Sequence, residues 1–224
     1  MSYSFARLLG AAAITLAGVS QAHASTTVID FNPVDLVGVY LPGDSFVQGS
    51  YRMTTQLDFG TVDVASALGA VAPTGNATQF YFNANSGSLR VTATDAVPFS
   101  LNSFSAAFVP LDPPSLQNTV IVARGITVAN LEVLGFWAFA SSVSSNFPFT
   151  LYAAAPAFAN LKSVEFFACS RVGSMNCSQP TLNNGQFAID NISVTAVPEP
   201  GTALLLTLGA VGLGLRARNR RNLR

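Results

Sequence analysis

The feature that most constrains the fold is a series of short segments in which apolar and polar residues alternate with a period of two. The segments begin at Thr26 and are rich in Val, Ile, Thr, Phe and Tyr, as in TQFYFNA, SLRVTAT, NTVIVARGITV and GQFAIDNISVTA. Turn-forming clusters such as LPGD, APTGN and NANSG separate them. VDVASALGAV is the best candidate for one short helix. The pattern predicts an all-β fold of nine or more strands, a single antiparallel β-sandwich of the jelly-roll kind.

Two of the predicted strands break the alternation. In FSLNSFSAAF (99–108) the apolar residues change parity at Asn102–Ser103, and in QFAIDNISV (186–194) they change at Asp190–Asn191. A β-bulge at each place would return the apolar side chains to one face. The alternative is a strand that is buried on both faces. Asn and Asp at the points of change favour the bulges.

The first 24 residues have the organisation of a secretory signal peptide. One arginine precedes the apolar run LLGAAAITLAGV, and small residues follow at Ala22 and Ala24. The run is shorter than the roughly 20 residues of a membrane span, so we expect cleavage after Ala24 rather than a retained anchor. The predicted organisation is a signal peptide (1–24), a β-sandwich domain (25–196) and a C-terminal tail (197–224).

Removal of the signal peptide would exclude several kinds of site. The only histidine, His23, would leave with it, which excludes catalysis and metal binding that depend on imidazole. Residues 25–196 contain five basic and ten acidic residues, a formal net charge of −5, so no nucleic-acid partner is expected. A glycosidase or lyase built on carboxylates such as Asp58 and Asp63 is disfavoured, because no paired-acid motif is present. We expect a protein that is not an enzyme.

Two pairs of residues are candidates for structural cross-links. Cys169 and Cys177, eight positions apart across turn-forming residues, predict a disulfide in an exported protein. Two separate buried thiols are the alternative. Asp30 and Asp190 lie in the predicted first and last strands, and if these strands pair, both carboxylates are candidate ligands for a structural calcium ion. No calcium-loop motif supports this, so the default expectation is no cofactor and an Asp190 bonded to its own backbone.

The tail has three parts in a fixed order. Val197-Pro198-Glu199-Pro200 contains two prolines, which can extend neither a strand ladder nor a helix. The next 14 residues, 202–215, are apolar and would span roughly 21 Å as a helix, less than the ~30 Å of a hydrocarbon core. An arginine cluster then supplies a stop-transfer signal that would hold the terminus in the cytoplasm; it comprises Arg216, Arg218, Arg220 and Arg221.

A signal peptide, a β-rich body, Val-Pro-Glu-Pro, a short apolar helix and an arginine cluster, in that order, resemble proteins with the PEP-CTERM sorting domain of Gram-negative, exopolysaccharide-producing bacteria. The resemblance implies transient anchoring in the inner membrane and cleavage by an exosortase, a membrane-embedded cysteine transpeptidase that would recognise Pro198-Glu199-Pro200. Release to the cell surface or extracellular matrix would follow. The segment from Gln186 to Asp190 is similar to the Q-F-x-x-D segment of a β-sandwich family often joined to this tail, which has no established activity.

The expected function is therefore that of an exported, non-catalytic surface or matrix protein, associated with exopolysaccharide or biofilm. The alternative is a carbohydrate-binding module of the jelly-roll type, which would present exposed aromatic side chains on one face. Tyr40 and Tyr51, on either side of LPGDSFVQG, are the best candidates for exposed rings. Trp137 shares its parity with apolar neighbours and is expected in the core.

Overall fold

The computed structural model describes residues 24–85, 87–110, 119–140, 147–170, 177 and 185–197. Ser25–Val197 form one compact unit, and strands make up most of its described part. Helical structure within that part is limited to one α-helical turn, Ala65–Leu68, and two 3₁₀ turns, Val34–Leu36 and Gly69–Val71. The α-helical turn lies within the predicted helical segment, so that prediction is confirmed, and the body is all-β.

The strands are arranged in two layers. Among the described residues, the first sheet contains β1 (Thr26–Ile29), β2 (Gly38–Tyr40), β5 (Gly60–Asp63), β6 (Phe80–Asn83), β8 (Phe99–Val109), β11 (Thr150–Ala153) and β13 (Gln186–Ala196). The second contains β3 (Ser45–Gln48), β4 (Tyr51–Gln56), β7 (Ser88–Ala93), β9 (Thr119–Thr127), β10 (Glu132–Ala138) and β12 (Leu161–Ser170).

Every pair of these strands is antiparallel. The order in the first sheet is β2–β5–β6–β13–β8–β11, and β1 pairs with the last part of β13. The order in the second sheet is β3–β4–β7–β12–β9–β10. A single pairing, of Leu161 with Phe99, joins the two sheets. The predicted antiparallel sandwich is thereby confirmed.

The core lies between the two sheets. Phe104 on β8 packs against Phe166 on β12, with ring centroids 5.0 Å apart, and against Trp137 on β10 at 5.2 Å. Both phenylalanines are fully buried, and full burial of such a side chain stabilises a fold by about 1.5–3 kcal/mol. This aromatic cluster therefore holds the sheets together near the middle of the sandwich.

Both predicted bulges are present in the pairing of β13 with β8. Between the pairs Asp190–Ser105 and Ser193–Ser103, β13 has one more residue than β8. Directly after Ser193, β8 has the extra residue, which is Asn102. Because the two slips compensate each other, the apolar side chains before and after them all lie in the same core.

The predicted disulfide is confirmed, and the alternative of two separate thiols is wrong. Cys169, near the end of β12, is bonded to Cys177, and their Cα atoms are 5.7 Å apart. Both cysteines are buried in a small apolar cluster with Val120, Val122 and Phe167. The cross-link therefore covers apolar side chains on the outer side of the second sheet, opposite the main core.

Candidate functional site

The carboxylate of Asp190 is fully buried beside the bulge in β13. Its Oδ2 accepts hydrogen bonds from Asn76 Nδ2 at 2.7 Å and from Asn191 Nδ2 at 3.0 Å. Its Oδ1 accepts a bond from the backbone N–H of Asn191 at 2.7 Å. Asn191 has a φ of 49°, a left-handed conformation that Asn adopts more readily than most residues. The bulge therefore folds Asn191 back over the carboxylate.

The pairing of β1 with β13 places Asp30 near Asp190. Asp30 directly follows β1, whose last residue is opposite Ile192. Asp30 Oδ1 accepts hydrogen bonds from Gln48 Nε2 at 2.5 Å and from the Asn32 backbone N–H at 3.2 Å. Two carboxylates from opposite ends of the domain thus lie within electrostatic reach of each other.

The two carboxylates differ in pKa. Burial raises the pKa of Asp190 to about 7, and the charge of Asp30 adds to this effect, against the opposing hydrogen bonds from Asn191 and Asn76. Burial also acts to raise the pKa of Asp30, but the hydrogen bonds led by that from Gln48 outweigh it and hold the pKa below its usual value. Asp190 therefore titrates near neutral pH while Asp30 is charged.

This pair supplies part of what a calcium ion requires. Ca²⁺ takes six to eight oxygen ligands and favours carboxylates, of which Asp30 and Asp190 are two. Within the described ranges, no group of three or more His, Cys, Asp or Glu side chains could hold a metal ion. The nearby amide oxygens already accept bonds, Gln48 Oε1 from Phe31 N–H at 3.0 Å and Asn76 Oδ1 from Thr78 N–H at 2.8 Å. The structure provides two candidate ligands for a calcium ion but not a complete coordination shell.

A second buried carboxylate, that of Glu165, lies on the outer side of β12. Its sequence neighbours Val164 and Phe166 belong to the core, so its side chain points away from the core. Ser88 Oγ donates to Oε1 at 2.6 Å and Arg124 Nη2 donates to Oε2 at 2.5 Å. The sequence does not predict this group, because its members come from three strands that are distant in the chain.

The aromatic residues considered for sugar binding are engaged in packing. Tyr51 is 3% exposed and contacts Phe99 edge-on, with centroids 5.6 Å apart, so the prediction that it is exposed is wrong. Tyr40 is half-buried, and its hydroxyl donates to Leu36 O at 2.6 Å. Trp137 packs against the core as expected. The rings of this trio do not form an exposed platform.

The two carboxylates considered for hydrolysis bond to the chain next to them. Asp58 Oδ1 accepts from Phe59 N–H and Asp63 Oδ1 accepts from Val64 N–H, each at 2.8 Å. Asp58 Oδ2 also accepts from Asn85 Nδ2 at 3.0 Å. Such bonds are typical of turn residues.

The body ends where the predicted tail begins. The backbone N–H of Ala196, the last residue of β13, donates to Ser25 O at 3.0 Å, and that of Val197 donates to Pro98 O at 2.8 Å. No helix in the part of the chain that the structure describes is long and apolar enough to cross a membrane. Outside that part lie the other predicted sorting and processing residues, namely Ala22, Pro198, Glu199, Pro200, the apolar segment 202–215 and the arginines Arg216, Arg218, Arg220 and Arg221.

Comparison with known families identifies this terminal segment. The family model of the PEP-CTERM protein-sorting motif matches residues 196–221. The tail is a PEP-CTERM sorting motif. The matched segment starts at Ala196, the last residue of β13, and ends at Arg221, the last residue of the arginine cluster.

Other comparisons leave the body without an assigned activity. No curated protein matches the sequence. One similar solved structure contains the CBM22-1 and GH10 modules of a Clostridium thermocellum endo-1,4-β-D-xylanase complexed with xylohexaose (11% identity, TM-score 0.33, 76% of this chain and 28% of that one). Another is the enzymatically active domain of tailspike protein 4 of bacteriophage CBA120 (13%, 0.29, 73% and 20%). The chain spans less than a third of either protein, and these TM-scores carry no conclusion about ligand or activity.

Proposed function

We propose that the protein is exported and is delivered to the cell surface or extracellular matrix of a Gram-negative bacterium by an exosortase-type enzyme. The PEP-CTERM match over residues 196–221 carries this proposal. A signal peptide cleaved after Ala24 would start export. The apolar segment 202–215 would hold the chain transiently in the inner membrane, and the arginine cluster would keep its end in the cytoplasm.

The junction at Val197 supports recognition of the tail by a processing enzyme. Val197 N–H makes the last backbone hydrogen bond described for the body. Pro198 and Pro200 have no N–H to donate, so the strand ladder cannot continue through them. The residue before a proline is also biased towards extended conformations. Residues 198–200 would therefore not continue the last strand, and an extended conformation there would favour recognition by an enzyme.

The body is proposed as a non-catalytic domain that associates with exopolysaccharide in a biofilm matrix. Its sequence contains no histidine beyond residue 23, which removes the commonest general base. Measurable turnover of a polysaccharide or peptide by the purified protein would contradict this part of the proposal.

A carbohydrate-binding module of the jelly-roll type is the second candidate, and the strand order supports the jelly-roll fold that it requires. The order β6–β13–β8–β11 in one sheet and β7–β12–β9–β10 in the other is that of two interlocked Greek keys. The packing of Tyr51 and Trp137 disfavours binding through an aromatic platform. A glycan would need another surface of the sandwich.

A structural calcium ion held by Asp30 and Asp190 is a separate proposal. Its support is the approach of two carboxylates where β1 pairs with β13 and the burial of one of them. The remaining ligands would have to be carbonyl oxygens or water. The sorting function does not depend on this ion.

The sorting proposal is tested by mass spectrometry of the protein purified from its own host. We expect an N-terminus at Ser25 and a C-terminus close to Pro198–Pro200, without the arginine cluster. The Glu199→Ala variant should keep its tail and remain in the membrane fraction, while Glu132→Ala, a matched change at an exposed position of the body, should be processed normally. A mature wild-type protein that extends to Arg224 would overturn the proposal.

A further inference from the structure

Three of the five basic residues between positions 25 and 196 are arginines on the outer side of the second sheet. They are Arg52 on β4, Arg90 on β7 and Arg124 on β9. A direct sequence neighbour of each belongs to the buried core, so the arginine side chains point away from it; these neighbours are Met53, Val91 and Ala123. We define the arginine face by the three arginines together with Thr54, Thr92 and Glu165.

The strand register brings these residues together. Thr54 pairs with Arg90, Arg90 pairs with Glu165, and Glu165 pairs with Arg124. The four residues therefore form one row across four adjacent strands. With an interstrand spacing of about 4.8 Å, Arg90 and Arg124 start from backbone positions about 10 Å apart. Arg52 lies in the next row, opposite Thr92 on β7.

Glu165 forms ion pairs with two of the arginines, Arg124 and Arg90, but accepts a hydrogen bond from Arg124 alone. Its buried Oε2 accepts the bond from Arg124 Nη2, whereas Arg90 Nη2 is 3.7 Å away. Arg90 has a side-chain exposure of 39%. Arg52 is exposed, and its Nη1 donates to the neutral Ser45 Oγ at 3.2 Å. Each guanidinium has five N–H donors, so Arg52 and Arg90 can bind an anion from solvent.

The charge of this face is opposite to that of the domain that carries it. Residues 25–196 have a formal net charge of −5, while the arginine face has three positive groups against one buried carboxylate. Arg binds carboxylates through pairs of parallel hydrogen bonds, and the hydroxyls of Thr54 and Thr92 can both donate and accept. A ligand that alternates carboxylates with hydroxyls complements this arrangement.

We propose that the arginine face binds the carboxylate groups of an acidic polysaccharide. The inference deepens the proposed function, and it rests on that function only for placing the protein among extracellular polysaccharides. A nucleic acid is the less suitable ligand. Three arginines neutralise few phosphates, and the acidic remainder of the domain repels a densely charged strand.

Binding is measured by isothermal titration of the processed protein with alginate, a polyuronate, and with dextran, a neutral glucan. We expect alginate to bind, dextran not to bind, and the affinity for alginate to fall as salt rises. Arg52→Gln and Arg90→Gln should each lower the affinity for alginate about tenfold, since each removes a charge-assisted hydrogen bond to the polysaccharide. Lys162→Gln is the matched control, because it removes a positive charge that is not part of the arginine face and is bonded to Asn130. It should leave the affinity for alginate unchanged.

Arg124 is not substituted, because its removal would leave the buried Glu165 carboxylate without its hydrogen-bonded positive partner and would destabilise the fold. Equal thermal midpoints of Arg52→Gln and the wild type would show that this variant is folded. Failure to bind alginate, or an equal loss in Lys162→Gln, overturns the proposal. Tighter binding of dextran sulfate or single-stranded DNA than of alginate overturns the assignment to carboxylates. Processing of the tail is measured separately by mass spectrometry. The sorting proposal and the polysaccharide-binding proposal can therefore fail independently.

Discussion

The side-chain amide of Asn76 donates a 2.7 Å hydrogen bond to the carboxylate of Asp190, a residue 114 positions later in the chain. The bond joins the segment before β6 to the last strand. The accepting carboxylate is fully buried, and a buried charge is costly unless it is paired or well hydrogen-bonded. The protonation state of Asp190 is therefore linked to the stability of the domain.

We predict that stability falls as the pH rises from about 4 to above 7. Burial raises the pKa of Asp190 to about 7, whereas an unfolded Asp titrates near 3.9. Between these values the folded state holds a proton that the unfolded state has released. The stabilisation is complete below pH 4 and is lost as the pH passes 7, with a magnitude on the order of 2–4 kcal/mol.

Urea midpoints at pH 5 and pH 8 test this prediction. Asp190→Asn should remove most of the difference between the two pH values. Asp95→Asn, at an exposed turn, should keep the wild-type difference. The lowered pKa of Asp30 acts in the opposite sense, but only at pH values near and below 4. Equal wild-type midpoints at pH 5 and pH 8 would contradict the prediction.

The calcium proposal predicts that millimolar CaCl₂ raises the thermal midpoint, and that it does so more at pH 8 than at pH 5. Asp190 is charged at the higher pH and can then bind the cation. A concentration of 100 times Kd stabilises the folded state by about 2.7 kcal/mol. Asp190→Asn should abolish the shift, and MgCl₂ should produce a smaller one. Identical wild-type scans in calcium and in EDTA would refute the site.

The left-handed backbone at Asn191 predicts an unusual order of variant stabilities. A β-branched residue at a φ of 49° is strained, so Asn191→Val should cost about 1–3 kcal/mol more than Asn191→Gly. Both variants lose the side-chain hydrogen bond to Asp190, so the difference between their free energies of unfolding measures the backbone strain at this position. Chemical denaturation measures it. A glycine variant no more stable than the valine variant would rule out strain at this position.

Reduction of the Cys169–Cys177 bond is expected to lower the free energy of unfolding by about 2–3 kcal/mol. The bridge closes a short loop, and its loss restores conformational entropy to the unfolded chain. Guanidinium denaturation with and without reductant measures the change. The double variant Cys169→Ser/Cys177→Ser should be insensitive to reductant. A wild-type midpoint that reductant leaves unchanged would mean that the bridge has no effect on stability.

Local rules account for the features that the sequence predicts well. The changes of parity at Asn102 and at Asp190–Asn191 predicted the bulges, because one residue of slip moves every later side chain to the other face. Tyr51 shows the limit of such reasoning. Its position near a turn suggested exposure, but it shares its parity with Met53, and both side chains lie in the core.

The arginine face was not predictable from the sequence. Arg52, Arg90 and Arg124 are separated by more than thirty residues each, and nothing near them in the chain relates one to another. Arg52 and Arg90 meet because β4 pairs with β7, and Arg124 joins them because β12, which follows all three, inserts between β7 and β9. Such long-range pairing depends on the packing of the whole sandwich and leaves no local pattern.

The position of β13 has a consequence for the timing of folding during secretion. β13 is the last strand of the body, yet it lies inside the first sheet and pairs with β1, β6 and β8. In a chain exported amino end first, that sheet cannot close until β13 has crossed the membrane. Under the sorting proposal, residues 202–215 would cross the membrane as a short helix, and the four residues 198–201 would connect that helix to the end of the body. On this proposal the final strand would leave the membrane and complete the first sheet before the tail is cut.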